Sequence, residues 1–279
     1  MAHVPAERCL AIIELLADRA SELPLGEVAE RLALPKSGAH RLLSTLVDAG
    51  WAEQDRSTGF YRLTMRLAAL GQRLYAASGI PDICQPLLER FADECHEFAR
   101  LAVVDGDGLL WLAHAQGASG GLVYQPAGTT GTVPLYATAS GKAWLATLAT
   151  DQAIRIFLRN GGFDDADKYG PNAVRSIEAL LREIKAAAHR GYGLAVNEAE
   201  PGVTAIAAAI RSRVSGTAVG TVSIAGPSVR ITEKRIRELA PRVVQCAAEL
   251  SALWPLRLRH VADVEGEGKD VGRAAAVTA

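Results

Sequence analysis

Five side chains within nine residues, Lys36, Ser37, His40, Arg41 and Ser44, combine two cations, an imidazole and two hydroxyls, with no carboxylate before Asp48. They fall in PKSGAHRLLSTLVDAGW (35–51), where helical spacing sets them opposite Leu42, Leu43, Leu46 and Val47. Such a face offers positive charge and hydrogen-bond donors, which suits phosphates and base edges. It is either solvated or in contact with nucleic acid. Solvated faces usually mix signs and this one does not, which favours DNA. A second stretch, AGTTGTVPLYATASGK (127–142), runs into a helix near Thr138. The amides of Ala139, Ser140 and Gly141 would start that helix and suit a carboxylate, an ordinary capped helix being the alternative. It is no phosphate loop, because Tyr136 stands where a glycine is required and Ala143 where Ser or Thr is required.

The elements around the first set are legible. Apolar residues at 9, 12, 13, 16 and 20 give a helix over 7–20. A short helix after Pro24 turns Val28, Ala29 and Leu32 inward, and Pro35 ends it and starts a third helix over 36–49. Gly50 caps that helix in the left-handed conformation. WAEQDRSTGFYRL (51–63) then reads as a hairpin, with strands at 51–54 and 60–63 and Gly59 in the turn. Helix, short helix, turn, helix and hairpin make a winged helix-turn-helix. Its recognition helix puts Ser37, His40, Arg41 and Ser44 in reach of base edges; Lys36 and Arg56 at the wing tip suit phosphates.

The chain is long enough for two cores: 279 residues, 49% hydrophobic and 22% charged. A formal net charge of −1 excludes a generally basic nucleic-acid binder. The charge is uneven, however: residues 1–30 set two arginines against six acids, and residues 31–73 set seven cations against three. Neither a leader pattern nor an apolar run approaching ~18 residues is present, so a cytoplasmic protein without membrane contact is expected. Cys9, Cys84, Cys95 and Cys246 are far apart in helical apolar patterns and read as reduced core thiols. Neither a metal nor an organic cofactor is expected.

A helix from about Thr64 to Ser78, broken by Gly79 and Pro81, links the two parts. Beyond it, helices at 82–98, 138–147, 151–159, 176–190 and 232–254 alternate with strands at 100–105, 109–115, 121–125, 192–196, 203–210 and 217–225. Hairpin turns at DGDG (105–108) and SG (215–216) make the sheet largely antiparallel and the domain α+β. The expected division is a winged helix-turn-helix domain at 1–63, a linker helix at 64–80 and an effector-binding and oligomerisation domain at 81–255. A tail at 256–279 has few apolar anchors and is expected to be disordered.

Over residues 7–255 the sequence resembles the IclR family of bacterial transcriptional regulators. LPKSGAHRLLSTLVDAG is similar to the family's recognition helix. VPLYATASGKAWLA (133–146), RGYGLAVNEAEPGVTAIAAAI (190–210) and GTVSIAGPSVRIT (220–232) resemble the motifs of its effector domain. The resemblance implies a GAF-like sensor fold, a dimer or dimer of dimers, and ligand-controlled binding to a palindromic operator, with the protein expected to act as a repressor. It also implies a pocket lined by Leu122, Gln125, Val133, Ala139, Ser140, Ala195, Val203, Ala205, Ser223 and Ala225. Members that bind small oxo-acids have Asp where Ala195 stands, Cys where Ala205 stands and Ser where Ala225 stands. Those exchanges imply a larger, drier pocket for an aromatic or aliphatic acid or a lactone. Tyr136 replaces the usual His and is expected to reach that pocket. Gly38 replaces a Thr of the recognition helix, and Ala33 replaces the glycine that ends the second helix.

Two rival functions remain. Tyr136, Lys142 and His189 are capable of acid–base chemistry, but no nucleophile–base–acid set is legible and the S-x-x-K spacing is absent, so no enzyme is expected. The exchanges at 33 and 38 leave open an interaction protein that has lost DNA binding.

Overall fold

The structure is a computed structural model that describes residues 4–17, 22–119, 122–126 and 131–254. It divides into two compact units between Ala77 and Ser78. The end of the first expected helix, the loop at 127–130 and the expected tail at 256–279 lie outside the described residues.

The first unit contains α1 (Val4–Ala17), α2 (Leu25–Arg31), α3 (Lys36–Asp48), β1 (Ala52–Gln54), β2 (Tyr61–Leu63) and all but the last residue of α4 (Arg66–Ser78). Its core is built from Ile12 and Leu16 of α1, Val28 of α2, Leu43 and Leu46 of α3, and Ala52 and Tyr61 of the hairpin. Strands β1 and β2 pair antiparallel, with Glu53 opposite Arg62, and Leu23 bridges Tyr61 as a further short contact. Gly50 (φ 76°) and Gly59 (φ 73°) take the left-handed conformations that end α3 and close the wing. Asp55 shapes that turn by accepting from Ser57 and Thr58, and the Ser57 hydroxyl first among them holds its carboxyl far below the ordinary range. The Thr64 hydroxyl accepts from the Arg66 amide at 3.4 Å and donates to Gly50 O at 2.8 Å, so it ties the start of α4 to the end of α3.

Ala33 keeps the left-handed backbone (φ 50°) at the turn between α2 and α3, and its side chain is exposed. A Cβ there costs about 1 kcal/mol or more, while glycine gives back part of that through its freedom in the unfolded chain. Ala33→Gly is therefore expected to stabilise the first unit by about 0.5 kcal/mol. Urea unfolding would show this as a higher midpoint at constant slope.

The second unit is a three-layer α/β/α arrangement. A π-helical turn (Ile80–Cys84) precedes α5 (Gln85–Cys95), followed by β3 (Phe98–Asp105), β4 (Gly108–Gln116) and β5 (Gly131–Thr132). Then come α6 (Ala139–Leu145), α7 (Thr150–Arg159), a 3-10 turn (Ala166–Lys168), α8 (Ile177–Arg190), β6 (Gly193–Val196), β7 (Val203–Arg211), β8 (Ala218–Pro227) and α9 (Glu233–Leu253). The sheet order is β5-β4-β3-β8-β7-β6, every pair antiparallel. Helices α5 and α9 cover one face, while α6, backed by α8, covers the β6–β8 end of the other. The approach of α6 is close enough that a Cβ on Gly193 would stand 2.1 Å from Ala139 O. Only glycine lets the helix lie directly on β6.

Over the described residues 122–125 the expected strand does not form, and β5 at 131–132 stands at the edge of the sheet. Residues 122–126 run without a ladder, and side chains satisfy two of their carbonyls. Arg230 donates to Leu122 O at 2.7 Å and Gln116 to Tyr124 O at 2.9 Å. The α5 helix is also shorter than the expected 82–98, since His96 turns left-handed (φ 54°) and Phe98 already belongs to β3.

Candidate functional site

On α3, Ala39, Leu43 and Leu46 are buried, whereas Lys36, Ser37, His40 and Arg41 are exposed and Ser44 half-exposed, as one amphipathic helix requires. The neighbouring cations divide into two groups. Arg31 pairs with Glu27 (2.5 Å), Arg62 with Glu22 and Glu53, and Arg66 lies over the Trp51 ring at 4.7 Å. Lys36, Arg41 and Arg56 form no ion pair among the described residues. Positive charge is therefore left unneutralised on the α3 face and at the wing tip. At Gly38 a Cβ would meet nothing nearer than Pro35 Cδ at 3.9 Å, so the missing Thr is not a packing necessity.

In the second unit a cavity of about 60 Å³ lies between α6 and the sheet. Of the expected pocket residues, Ala139, Ser140, Ala195, Val203, Ala205, Ser223 and Ala225 line it. The register explains this. Ala195 of β6, Ala205 of β7 and Ala225 of β8 are direct cross-strand neighbours, forming one row of methyl groups. Two residues along, on the same face, Ser223 lies opposite Arg100 of β3.

Four expected residues lie elsewhere. Leu122 (55% exposed) and Gln125 stand out to solvent on the irregular segment. Val133 and Tyr136 are buried in the core formed with α7, and the Tyr136 hydroxyl is drawn away to donate to Asp165 at 3.0 Å. The α6 start is also less open than three free amides imply: the Thr138 hydroxyl caps the helix by accepting from Gly141 N at 3.0 Å.

Beside Thr138 and Ala199, the lining also includes Arg100, Trp111, Tyr124 and Glu200, polar groups that the family positions do not point to. The buried Arg100 guanidinium stacks over Trp111 (4.3 Å) and Phe98 (5.1 Å). Burial lowers its pKa from the ordinary value, and the nearby Glu200 carboxylate opposes that shift. Tyr124 donates to Glu200 at 2.7 Å, and burial with that acceptor keeps the phenol protonated. The sequence does carry one signal: Arg100 is a lone cation inside the apolar run FARLAVV (98–104).

The three groups weighed for acid–base chemistry are not assembled. Tyr136 is bound to Asp165, and His189 is in the last turn of α8. Lys142 is fully buried, with Nζ 2.6 and 2.7 Å from the two Glu198 oxygens and 3.3 Å from both Glu183 Oε2 and Leu194 O. Among the described residues no cluster of His, Cys, Asp and Glu could hold a metal ion, and no helix is long and apolar enough to cross a membrane.

Two family profiles match this arrangement: "IclR helix-turn-helix domain" over residues 5–56 and "Bacterial transcriptional regulator IclR C-terminal" over residues 73–252. The chain belongs to the IclR family. Among its IclR-family relatives, HTH-type transcriptional regulator BhcR of Paracoccus denitrificans is 33% identical, over 88% of this chain and 85% of that protein. The transcriptional repressor IclR of Escherichia coli is 27% identical, over 88% of both. An IclR homologue from Microbacterium hydrocarbonoxydans, solved in complex with 4-hydroxybenzoate, superposes with a TM-score of 0.68 at 26% identity, covering 89% of this chain and 99% of that one. A transcriptional regulator from Alicyclobacillus acidocaldarius shares the fold with a TM-score of 0.75 at 20% identity, over 91% and 99% of the two chains. This IclR-family protein is thus a transcriptional regulator, with DNA as the partner of its helix-turn-helix and a small molecule as that of its effector domain.

Proposed function

We propose that this regulator binds a palindromic operator as a dimer or dimer of dimers, in the cytoplasm, as a repressor. In this reading residues 1–63 hold the DNA, 64–80 form the linker and 81–255 bind effector and partner protomers. Ser37, His40, Arg41 and Ser44 face base edges, and Lys36 and Arg56 face phosphates. The effector is a mostly apolar carboxylic acid, preferably aromatic.

The observation that carries the effector class is the pairing of a buried guanidinium with a floor of methyl groups. Arg100 offers a planar fork for a carboxylate, stacked on Trp111, with the Ser140 and Ser223 hydroxyls lining the same cavity. The Ala195–Ala205–Ala225 row and Val203 give the rest of the ligand an apolar floor, with the paired Tyr124 and Glu200 also in the wall. Arg100 favours an acid over a lactone, and the 4-hydroxybenzoate complex of the Microbacterium homologue supports an aromatic one. At 60 Å³ the cavity is below the ~300 Å³ of ordinary ligand sites, so binding requires expansion at the Tyr124–Glu200 contact. Such a change couples to DNA only to the extent that the two arrangements differ in effector affinity.

The test has two stages. A thermal-shift screen of aromatic and aliphatic acids, with glyoxylate and pyruvate included, should select an apolar acid; a ligand at 100 times its Kd adds ~2.7 kcal/mol of stability. Fluorescence anisotropy on the gene's own upstream DNA should then show tight binding that the selected acid changes. Preference for glyoxylate or pyruvate would sink the effector class, and no preference for upstream over scrambled DNA would sink the regulator mechanism. In the same assay Arg41→Ala is expected to weaken operator binding by about tenfold, the lower part of the ~1–3 kcal/mol range for a bidentate base contact, while scrambled DNA is held as before. Equal losses on both duplexes would reassign Arg41 to a phosphate.

A further inference from the structure

A second cavity, of about 150 Å³, shares no lining residue with the effector cavity. Its walls are Phe157 at the end of α7, the Tyr136 and Tyr169 rings, and the Asp165 carboxylate. The two phenols both donate to that one acid, Tyr136 to Oδ1 at 3.0 Å and Tyr169 to Oδ2 at 2.9 Å. The rings meet edge to face, Tyr136 lying 5.9 Å from Phe157 and 5.4 Å from Tyr169. Asn160, at the rim, spends its amide N–H groups on Asp107 O and Ile156 O. The two phenols and the Asn160 amide are therefore committed, so around Asp165 an occupant meets mainly lone pairs and π-faces, with the Thr132 hydroxyl the other polar side-chain group of the wall.

We propose that this cavity binds a small organic ammonium ion, its N–H groups donating to Asp165 and its carbons against Tyr136, Tyr169 and Phe157. Anions are refused by the carboxylate, and neutral apolar molecules leave the remaining acceptors unsatisfied. A cation satisfies both the acid and the ring quadrupoles. The nearby Arg175 does not fill this role, since its guanidinium is turned to Asp167 at 3.7 Å. The volume corresponds to about five water molecules at ~30 Å³ each, which limits the ligand to a short alkylammonium. Tyr136 is followed directly by the turn that caps α6, where the Thr138 hydroxyl donates to Pro134 O at 2.7 Å. An occupant would therefore stiffen the segment that leads into Ser140. The proposal stands apart from the effector reading, because it uses none of that cavity's residues.

Ethylammonium chloride is the probe, on the full-length protein, with sodium chloride at equal ionic strength and ethanol as the neutral analogue. A saturable rise in Tm of about 3–6 °C at a tenfold excess over Kd is expected for ethylammonium alone. Asp165→Asn should weaken that response at least tenfold. Ligand-observed NMR gives an independent reading without any variant: the bound methyl group should move upfield under the ring currents of the tyrosines and Phe157. A response equal to that of sodium chloride or ethanol, full retention of binding in Asp165→Asn, or a bound methyl with no upfield displacement would each overturn the proposal.

Discussion

Lys142→Met is expected to destabilise the second unit by about 3–5 kcal/mol, because it strands the Glu198 carboxylate in the interior. The ammonium is wholly buried and both Glu198 oxygens converge on it at 2.6 and 2.7 Å. The Glu198 side chain is itself only 10% exposed, and burial pushes its carboxyl up despite the lysine beside it. The cost of breaking such a pair lies in the charge left behind more than in the attraction lost. At ~2–4 °C per kcal/mol for a unit of this size, Tm should fall on the order of 10 °C. The double variant Lys142→Met, Glu198→Leu should recover at least half of the loss, since neither charge then remains. Differential scanning calorimetry of the three proteins decides: a single variant within 1 °C of the unmodified chain would mean that water reaches the pair in solution.

Arg100→Gln is expected to weaken the acid selected by the screen about 100-fold, the loss of one or two hydrogen bonds to a charged group at ~1.5–3 kcal/mol each. The amide of the same acid should lose far less, because it never used the guanidinium's charge. Arg100→Lys should not rescue binding, since a point charge reproduces neither the fork nor the stacking on Trp111. Titration calorimetry with the acid and its amide separates these cases. If the unmodified protein holds both equally well, the carboxylate does not meet Arg100.

The contrast between what the sequence announces and what it conceals is sharpest at these two cations. In α3 the alternation of apolar and polar residues at helical spacing is a local property, and Leu43 and Leu46 are buried as that spacing predicts. The same holds for β7 and β8, whose small and branched residues run between turn residues and pair over nearly their full length. Lys142 gives no such signal. It lies in a seven-residue helix, and its partner Glu198 is 56 residues away. Leu122 to Gln125 mislead in the other direction. Their composition suits a strand, yet Arg230 and Tyr124 draw the segment into side-chain contacts that no local pattern encodes. Tyr136 is similar: only Asp165, 29 residues on, decides which way its hydroxyl turns. Arg100 stands between these cases, since a cation within an apolar strand marks a special environment without saying which.

The row of methyl groups across β6, β7 and β8 also sets an order in which substitutions interact. Neighbouring strands lie ~4.8 Å apart, so Ala205 touches the space of both Ala195 and Ala225, while the two outer positions are roughly 10 Å from each other. Changes at 195 and 225 share the cavity but not a direct contact, so they should interact less with each other than either does with a change at 205. Any change at 205 should alter the effect of the other two. A route to a new ligand that begins at either outer strand keeps its later steps foreseeable, and one that begins in the middle does not.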